Sequence, residues 1–572
     1  MSNHPYLAVR RTVATAQQAI ASAALMLSLL TLPLAHANEI DAPLSLPRCS
    51  ADTAADGCIP TDEALEAAGA TIGEIYVDNI NIFDTRLPEE DNALFRFANW
   101  LHVKTRRETI LQQLLVKPGD AFSTRLLRES ERVLRANGYL HDAFIQPRTW
   151  HDGVVDLQIL TQDVWTLKPG VSFGRKGGRN SSSVGIQETN LLGWGKDVGI
   201  DYKSGVDRTS KAFAFRDRQL AGTWWTLSAE YDDNSDGRAQ KLTLERPFFS
   251  LDSRDAMGLT FRNERRVDSL YQQGQIVDQY AVVDRGATVY TGWSAGLRNG
   301  SALRWTVGVT SDELRYDALP STVSTTLPPG RRLVYPWVGV AWLEDQYLAT
   351  KNQDQIGKTE DVALGWNVQG RFGIASSSLG SDRNAGVFIA SAAKGWQPTP
   401  AQTVLLNASA EGRLQGEGFS GTRTSLSTRY YFRASARNTF FAAASIDRGL
   451  RLDGDQQIQL GGDNGLRGYP LRYQSGNGRW LITAEQRTFT DWYPFRLFRL
   501  GGAIFYDMGR TWDGNAAGDS SRGLLRDAGL GLRIGNSRSA LGTIVHVDAA
   551  FPLDGDSSIK RVQFIVEAKR SF

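Results

Sequence analysis

Beyond the N-terminal stretch, no apolar run reaches the roughly 20 residues that a membrane-crossing helix requires. Only 41% of the 572 residues are hydrophobic, which excludes a helical bundle in lipid. An excess of one charge is also missing. The 64 Lys and Arg against 62 Asp and Glu leave a formal net charge of +2, which gives no bulk attraction for nucleic acid. Cysteine is nearly absent: Cys49 and Cys58 are the only 2, and with no nearby histidine they make no metal centre. In an exported, oxidising setting they are expected to close a small stapled loop. The 6 histidines are scattered without ligand spacing. Nucleophile elbows, Walker loops, HExxH pairs and dinucleotide-type glycine fingerprints occur in no supporting context. Glu89-Glu90-Asp91 reads as a solvated charge run. No catalytic residue, metal or cofactor is indicated, and the protein is not expected to be an enzyme.

What is present points to β-structure. Glycine (56), tryptophan (15) and tyrosine (17) are plentiful, as turns and interfacial aromatics require. Residues 1–37 have the layout of a secretory signal: Arg10-Arg11, a mostly apolar stretch over 20–34, and a small-x-small cleavage site at Ala35-His36-Ala37. Residues 38–70, rich in Ala, Pro, Asp and Thr, read as a linker or flexible arm with one short helical segment over 62–68. Residues 71–167 read as a small α/β module in the order β-α-α-β-β. A β-branched strand over 71–83 comes first, followed by a charged, irregular stretch and a first helix over 107–115. Lys117-Pro118-Gly119-Asp120 makes a turn. Ser123 or Thr124 can cap a second helix that runs to about Ala136, with Leu126, Leu127, Ser130, Val133 and Leu134 on one face. Strands over 140–145 and 154–160 follow.

From residue 168 to 572 short alternating stretches recur between Gly/Asn/Asp/Ser turns. Leu303, Trp305, Val307 and Val309 alternate with Arg304, Thr306, Gly308 and Thr310, and the stretches 224–231 and 406–411 behave alike. Period two places one set on each face of a sheet. No second layer of helices is available to cover a sheet of this size, so the apolar face is expected to meet lipid and the polar face a wet lumen. In the terminal stretch Val562, Phe564, Val566, Ala568 and Phe572 share one face, and Phe564, Val566 and Phe572 read as a C-terminal barrel signal. At roughly 25 residues per strand with its loop, about 16 antiparallel strands are expected.

Four phrases then carry a family resemblance. Leu466-Arg467-Gly468-Tyr469 matches a (V/L)RG(F/Y) motif on a long loop. Phe505-Tyr506-Asp507-Met508-Gly509 matches an F-x-D-x-G strand motif. Asn190-Leu191-Leu192-Gly193-Trp194-Gly195 resembles an early strand turn, and Glu245-Arg246-Pro247-Phe248 resembles an early hairpin. On these residues the chain resembles the BamA/TamA outer-membrane assembly superfamily, also called the bacterial surface antigen family, which includes two-partner secretion transporters. The module over 71–167, with PGDAFS between its helices, resembles a POTRA (polypeptide-transport-associated) domain.

The resemblance implies a mainly β protein, in which a periplasmic POTRA-like domain precedes an outer-membrane barrel. It also implies a lock in which Arg467 forks onto Asp507 or, as second choice, Glu485. A charge-assisted fork offsets the entropy lost when a long loop orders inside a barrel. Gly468 would permit close approach or an unusual backbone angle, Tyr469 would pack on the wall, and Phe505 and Gly509 would frame the strand motif. The implied function is outer-membrane protein insertion or polypeptide translocation. Its partners would be an unfolded outer-membrane or secreted polypeptide, outer-membrane lipid and unspecified accessory periplasmic proteins. The strand over 140–145 is the expected edge for client pairing. A dedicated two-partner-type secretion pore is the alternative, and a passive channel or structural outer-membrane protein is the alternative from another class. With only one POTRA-like module readable, a specialised or accessory role is expected.

Overall fold

Alternating side chains force the chain into sheet nearly everywhere. The computed structural model describes residues 48–49, 58–319, 327–512, 523–536, 538–539, 544–555 and 557–569. The expected secretory segment, most of the expected arm and Phe572 lie outside the described residues. The chain forms two units, 1–61 and 62–572. In the first, β1 (Arg48–Cys49) pairs in parallel with β2 (Ile59–Pro60), and Cys58 is disulfide-bonded, the expected partner being Cys49.

The second unit begins with α1 (Asp62–Ala67) and β3 (Thr71–Ile80). Leu65 and Ala70 are buried in the same core as Ile72, Ile110, Leu134 and Leu157, so the module starts at Asp62 and takes in the end of the expected arm. After β3 the stretch expected to be irregular contains a helix, α2 (Ala93–Leu101). Then come α3 (Arg107–Leu111), α4 (Thr124–Arg135), β4 (Leu140–His151) and β5 (Val154–Asp163). The sheet order is β3-β5-β4, with β3 parallel and β4 antiparallel to the central β5. Val155, Leu157 and Ile159 point from β5 into the core at period two. Ser123 occupies the N-cap of α4 without capping it by side chain. The Thr124 N–H is instead accepted by Glu66 Oε1 at 2.6 Å, which ties α1 to the start of α4.

The polar face of α4 docks on the barrel instead of meeting solvent. Glu129 accepts the Leu251 N–H at 2.8 Å, Arg132 pairs with Asp345 at 3.2 Å and covers the Tyr347 ring, and Arg135 forks onto Asp361 at 2.8 and 2.7 Å. A second junction lies at the turn 189–195. There Arg106 N–H and Thr109 Oγ1 donate to Gly193 O at 3.1 and 2.9 Å, and Asn190 bonds Thr105 Oγ1 at 2.8 Å. Gly193 adopts φ +78°, and a Cβ there would sit 2.5 Å from Lys104 O, so both conformation and space call for glycine.

The barrel is closed and antiparallel, running from β6 (Leu167–Lys176) to the strand Gln563–Lys569. It has 20 strands among the described residues, not about 16. The count was short because the early strands are brief and joined by tight turns. Leu167–Lys176, Arg179–Glu188, Lys196–Ser204, Thr209–Asp217, Thr226–Asn234 and Gly237–Arg246 all fall within 80 residues (167–246). Leu303, Trp305 and Val309 are exposed on the outer wall while Thr310 is buried and accepts a bond from Trp337 Nε1 at 3.0 Å, as the alternation predicts. Phe564 is exposed and Val566 half-buried, with Ile565 facing inward. Among the described residues no helix is long and apolar enough to cross a membrane.

Candidate functional site: the locked barrel lumen

Two segments enter the lumen from opposite mouths. One leaves the mouth far from the module after the strand Asn438–Leu450 and returns at Gly478. It carries the short pair Ile458–Leu460 and Gln474–Gly476, with Arg467 between them. The other leaves the module-side mouth between the strands Arg331–Glu344 and Asn367–Ala375 and folds into a hairpin, Tyr347–Lys351 with Thr359–Ala363.

Arg467 is buried and is brought together with both carboxylates named from the sequence. Its Nε and Nη2 donate to Asp507 Oδ2 and Oδ1 at 2.7 and 3.0 Å. Nη1 reaches Glu485 Oε2 at 3.1 Å and Asp548 Oδ2 at 3.2 Å. The guanidinium lies 3.3 Å from the centroid of the Phe505 ring, a cation–π contact that adds to the ion pairs. Both expected carboxylates are therefore used at once, with the fork on Asp507. Gly468 has no left-handed backbone. Its requirement is close approach, since a Cβ would stand 2.6 Å from Asp527 Cβ. Tyr469 packs among Leu460, Leu466, Tyr473 and Leu525, and its hydroxyl donates to Arg526 O at 2.7 Å. Gly509 admits the loop against the wall: a Cβ would meet Trp480 O at 2.7 Å and Leu460 Cδ2 at 3.2 Å.

Three members of the cluster escaped sequence reasoning. Arg533 bridges Asp548 and Glu485, the latter at 3.2 Å. Arg487 donates to Glu485 Oε1 at 3.1 Å and to the Gln353 carbonyl of the hairpin at 3.2 Å. Three guanidiniums thus face three carboxylates: Glu485 and Asp548 are each shared between arginines and Asp507 takes the Arg467 fork alone, and such pairing is the condition under which buried charge is tolerated. The available signal was facial: Asp527, Arg533, His546 and Asp548 alternate on the same wall as Asp507.

The hairpin is held at both ends. Besides Arg132 and Arg135, the module contributes Asp142, which accepts from Thr359 Oγ1 at 2.6 Å. At the tip Asp354 accepts from Arg429 at 3.1 Å and Tyr431 at 2.8 Å, and Ile356 packs on Phe489 and Ile544. A continuous polar path therefore runs from α4 through the hairpin to Arg487, Glu485 and Arg467.

Among the described residues the barrel closes on itself through one register pair between the last strand and β6, Val566↔Arg175, and an ion pair of Lys176 with Glu567. The neighbouring ladder has seven pairs, from Ile544↔Lys569 to Ala550↔Gln563.

A closed antiparallel barrel with an arginine-bearing loop pinned in its lumen is the architecture of an outer-membrane barrel protein. Residues 190–566 match the Omp85 superfamily domain. The chain belongs to the Omp85 superfamily, and the barrel is an outer-membrane structure. A Treponema pallidum (strain Nichols) protein named as an outer membrane protein assembly factor is 25% identical over 135 residues; that stretch covers 22% of this chain and 16% of the relative. Among solved structures, BamA from Haemophilus ducreyi lacking POTRA domains 1–3 aligns at 14% identity and TM-score 0.39, over 86% of this chain and 84% of that one. CdiB from Escherichia coli aligns at 12% identity and TM-score 0.46, over 88% and 76%.

Proposed function

We propose that the protein inserts or translocates unfolded polypeptides at the outer membrane, with the module 62–167 acting as a POTRA-like periplasmic domain that receives the client. The seam carries this reading: among the described residues it has one register pair, against seven in the neighbouring ladder. Among the described residues, opening there breaks that pair and the Lys176–Glu567 ion pair, whereas a route through the lumen must displace both the Arg467 loop and the hairpin. Insertion through the seam is therefore favoured over a two-partner-type secretion pore, and a passive channel is the least favoured because the lumen is entered from both sides.

Client pairing is reassigned from β4 to β3. The outer edge of β4 is sealed by its own neighbours: Glu131 accepts the Ile145 N–H at 2.7 Å, Arg135 donates to Ala143 O at 2.7 Å, Asp142 accepts the Ala143 N–H at 2.9 Å, and Pro147 has no N–H to offer. Capped edges of this kind resist strand addition. β3 is the other edge of the sheet; its first half is itself engaged, since the Ile72 N–H donates to Asp120 O at 2.9 Å and Ile75 O accepts from Arg107 at 2.9 Å, so pairing is proposed for its second half, 76–80.

The test is a disulfide across the seam, introduced as Arg175→Cys with Val566→Cys. Oxidation should abolish insertion of a client barrel into proteoliposomes and reduction should restore it. Full activity in the oxidised form would reject the seam and favour the lumen.

A further inference from the structure

The face of α2 that points away from the module is apolar and uncovered. Leu94 is 68% exposed, Phe97 55%, Trp100 76% and Leu101 50%, and the Phe97 and Trp100 rings stack at 5.9 Å. At 100° per residue these four span about a third of the helix circumference. The opposite arc holds Phe95, which stacks on Phe83 at 4.0 Å, and Asn99, whose amide bonds the Phe83 backbone at both ends. A helix apolar on both arcs is built to be covered on both. The inner arc is covered by the module, and the outer arc awaits a partner.

The barrel shows which partner. The cluster of Ile82, Phe83 and Phe95 also receives Leu497, from the module-side turn joining the strands Gly478–Phe489 and Phe498–Trp512. That turn projects Trp492, 67% exposed, and Phe495, 74% exposed. Phe495 holds φ +56°, an uncommon conformation for an aromatic residue. The two strands present Ile482 and Ile504 on the outer wall. Leu497 thus sets this turn, with its exposed aromatics, beside the inner arc of α2 and at the foot of two strands whose outer wall meets lipid. The segment 93–107 also carries Arg96, Lys104, Arg106 and Arg107 and no carboxylate. Arg96 pairs with Asp91, and Arg106 and Arg107 each donate to a backbone carbonyl; exposed Trp and Phe beside basic side chains is the composition of an interfacial membrane-binding helix.

We infer that α2 and the turn 490–497 together seat the module on the phospholipid surface of the leaflet at the module-side mouth, with Leu94, Phe97, Trp100 and Phe495 below the headgroups and the basic side chains at the phosphates. This rests on the barrel crossing a bilayer. It adds a lipid-binding surface to the module and fixes the module's height against the barrel seam.

The test uses the full chain in phosphatidylethanolamine/phosphatidylglycerol vesicles. Nitroxide labels are placed singly at Phe97→Cys, Trp100→Cys, the outer-wall site Ile504→Cys and the exposed module site Lys117→Cys, and collisions with oxygen and with a water-soluble nickel chelate are measured. Labels at 97 and 100 should show the oxygen-rich, nickel-poor ratio of the label at 504. A ratio like that at 117 would overturn the inference while the label at 504 still certifies the barrel in lipid. Protection from both reagents would overturn it equally, by showing a protein cover.

Discussion

Arg467→Ala should weaken the barrel by an amount that the contact pattern sets. Of the three carboxylates it serves, Glu485 keeps Arg487 and Arg533, and Asp548 keeps Arg533. Asp507 keeps no salt-bridge partner among the described residues and faces Asp527 across the ladder. Stranding one buried charge costs about 3–5 kcal/mol. Arg467→Lys keeps the charge but loses the fork onto Asp507, so a loss of about 1–3 kcal/mol is expected. Asp507→Asn added to Arg467→Ala removes the stranded charge, so the double variant should be less destabilised than the two single losses added together, by roughly 1–3 kcal/mol of coupling. The loop can relieve the defect by leaving the lumen, so the measurement has two parts: the thermal unfolding midpoint in detergent, and the rate of proteolysis within residues 461–473. The barrel should still form, with a lower midpoint and a faster-cut loop. A parent-like midpoint together with a protected loop, or strictly additive losses, would refute the lock.

Replacing residues 346–365 by a short Gly-Ser connection should remove the module-side obstruction and raise single-channel conductance in planar bilayers; unchanged conductance would mean that the hairpin does not limit the lumen. Gly193→Ala should destabilise the module–barrel junction by about 1–3 kcal/mol, because it combines a left-handed φ with a Cβ 2.5 Å from Lys104 O, and faster proteolysis near residues 103–107 reads this out. His141, at the junction of module, hairpin and barrel, has its pKa lowered to about 3, first by burial and then by Arg538, Lys358, Lys351 and Arg499. The folded state therefore holds fewer protons than the unfolded one, and stability should fall as pH drops below about 6.5 toward 3, by on the order of 1–2 kcal/mol at pH 5. His141→Gln should flatten that dependence in thermal melts.

Local chemistry was legible wherever one residue type has one use. Period-two alternation disclosed the barrel, and the RGY and F-x-D-x-G phrases disclosed the Arg467–Asp507 fork, because a buried guanidinium needs a carboxylate and the motif supplies both. What escaped depends on register or on tertiary cover. Arg533 and Asp548 meet because Gly531 pairs with Asp548 and Arg533 with His546, a diagonal that no spacing within one strand reveals. The hairpin 347–363 has the same alternation as the wall strands on either side, so its departure into the lumen leaves no local mark. ALFRFANWL lacks the helical period because both of its arcs are apolar, and it reads as irregular until the module covers one arc. The sealed edge of β4 required the helix α4 to be placed beside it.

The arrangement of the lumen also constrains how it can open. A buried network of balanced charges contributes little net stability compared with apolar packing, yet breaking it part-way strands a charge at high cost. The Arg467 loop is therefore stable fully in or fully out, and intermediate positions are penalised. The hairpin shares this property, since Arg487 is committed at once to Gln353 and to Glu485. Withdrawing the hairpin removes one acceptor from Arg487 and loosens the site that holds Arg467. The hairpin is in turn gripped by Arg135 on α4, the same side chain that seals the edge of β4. A displacement of α4 would thus act at two places together, uncapping the edge of β4 in the module and relaxing the lock in the barrel. Such coupling uses differential contacts in two states of elements already in place.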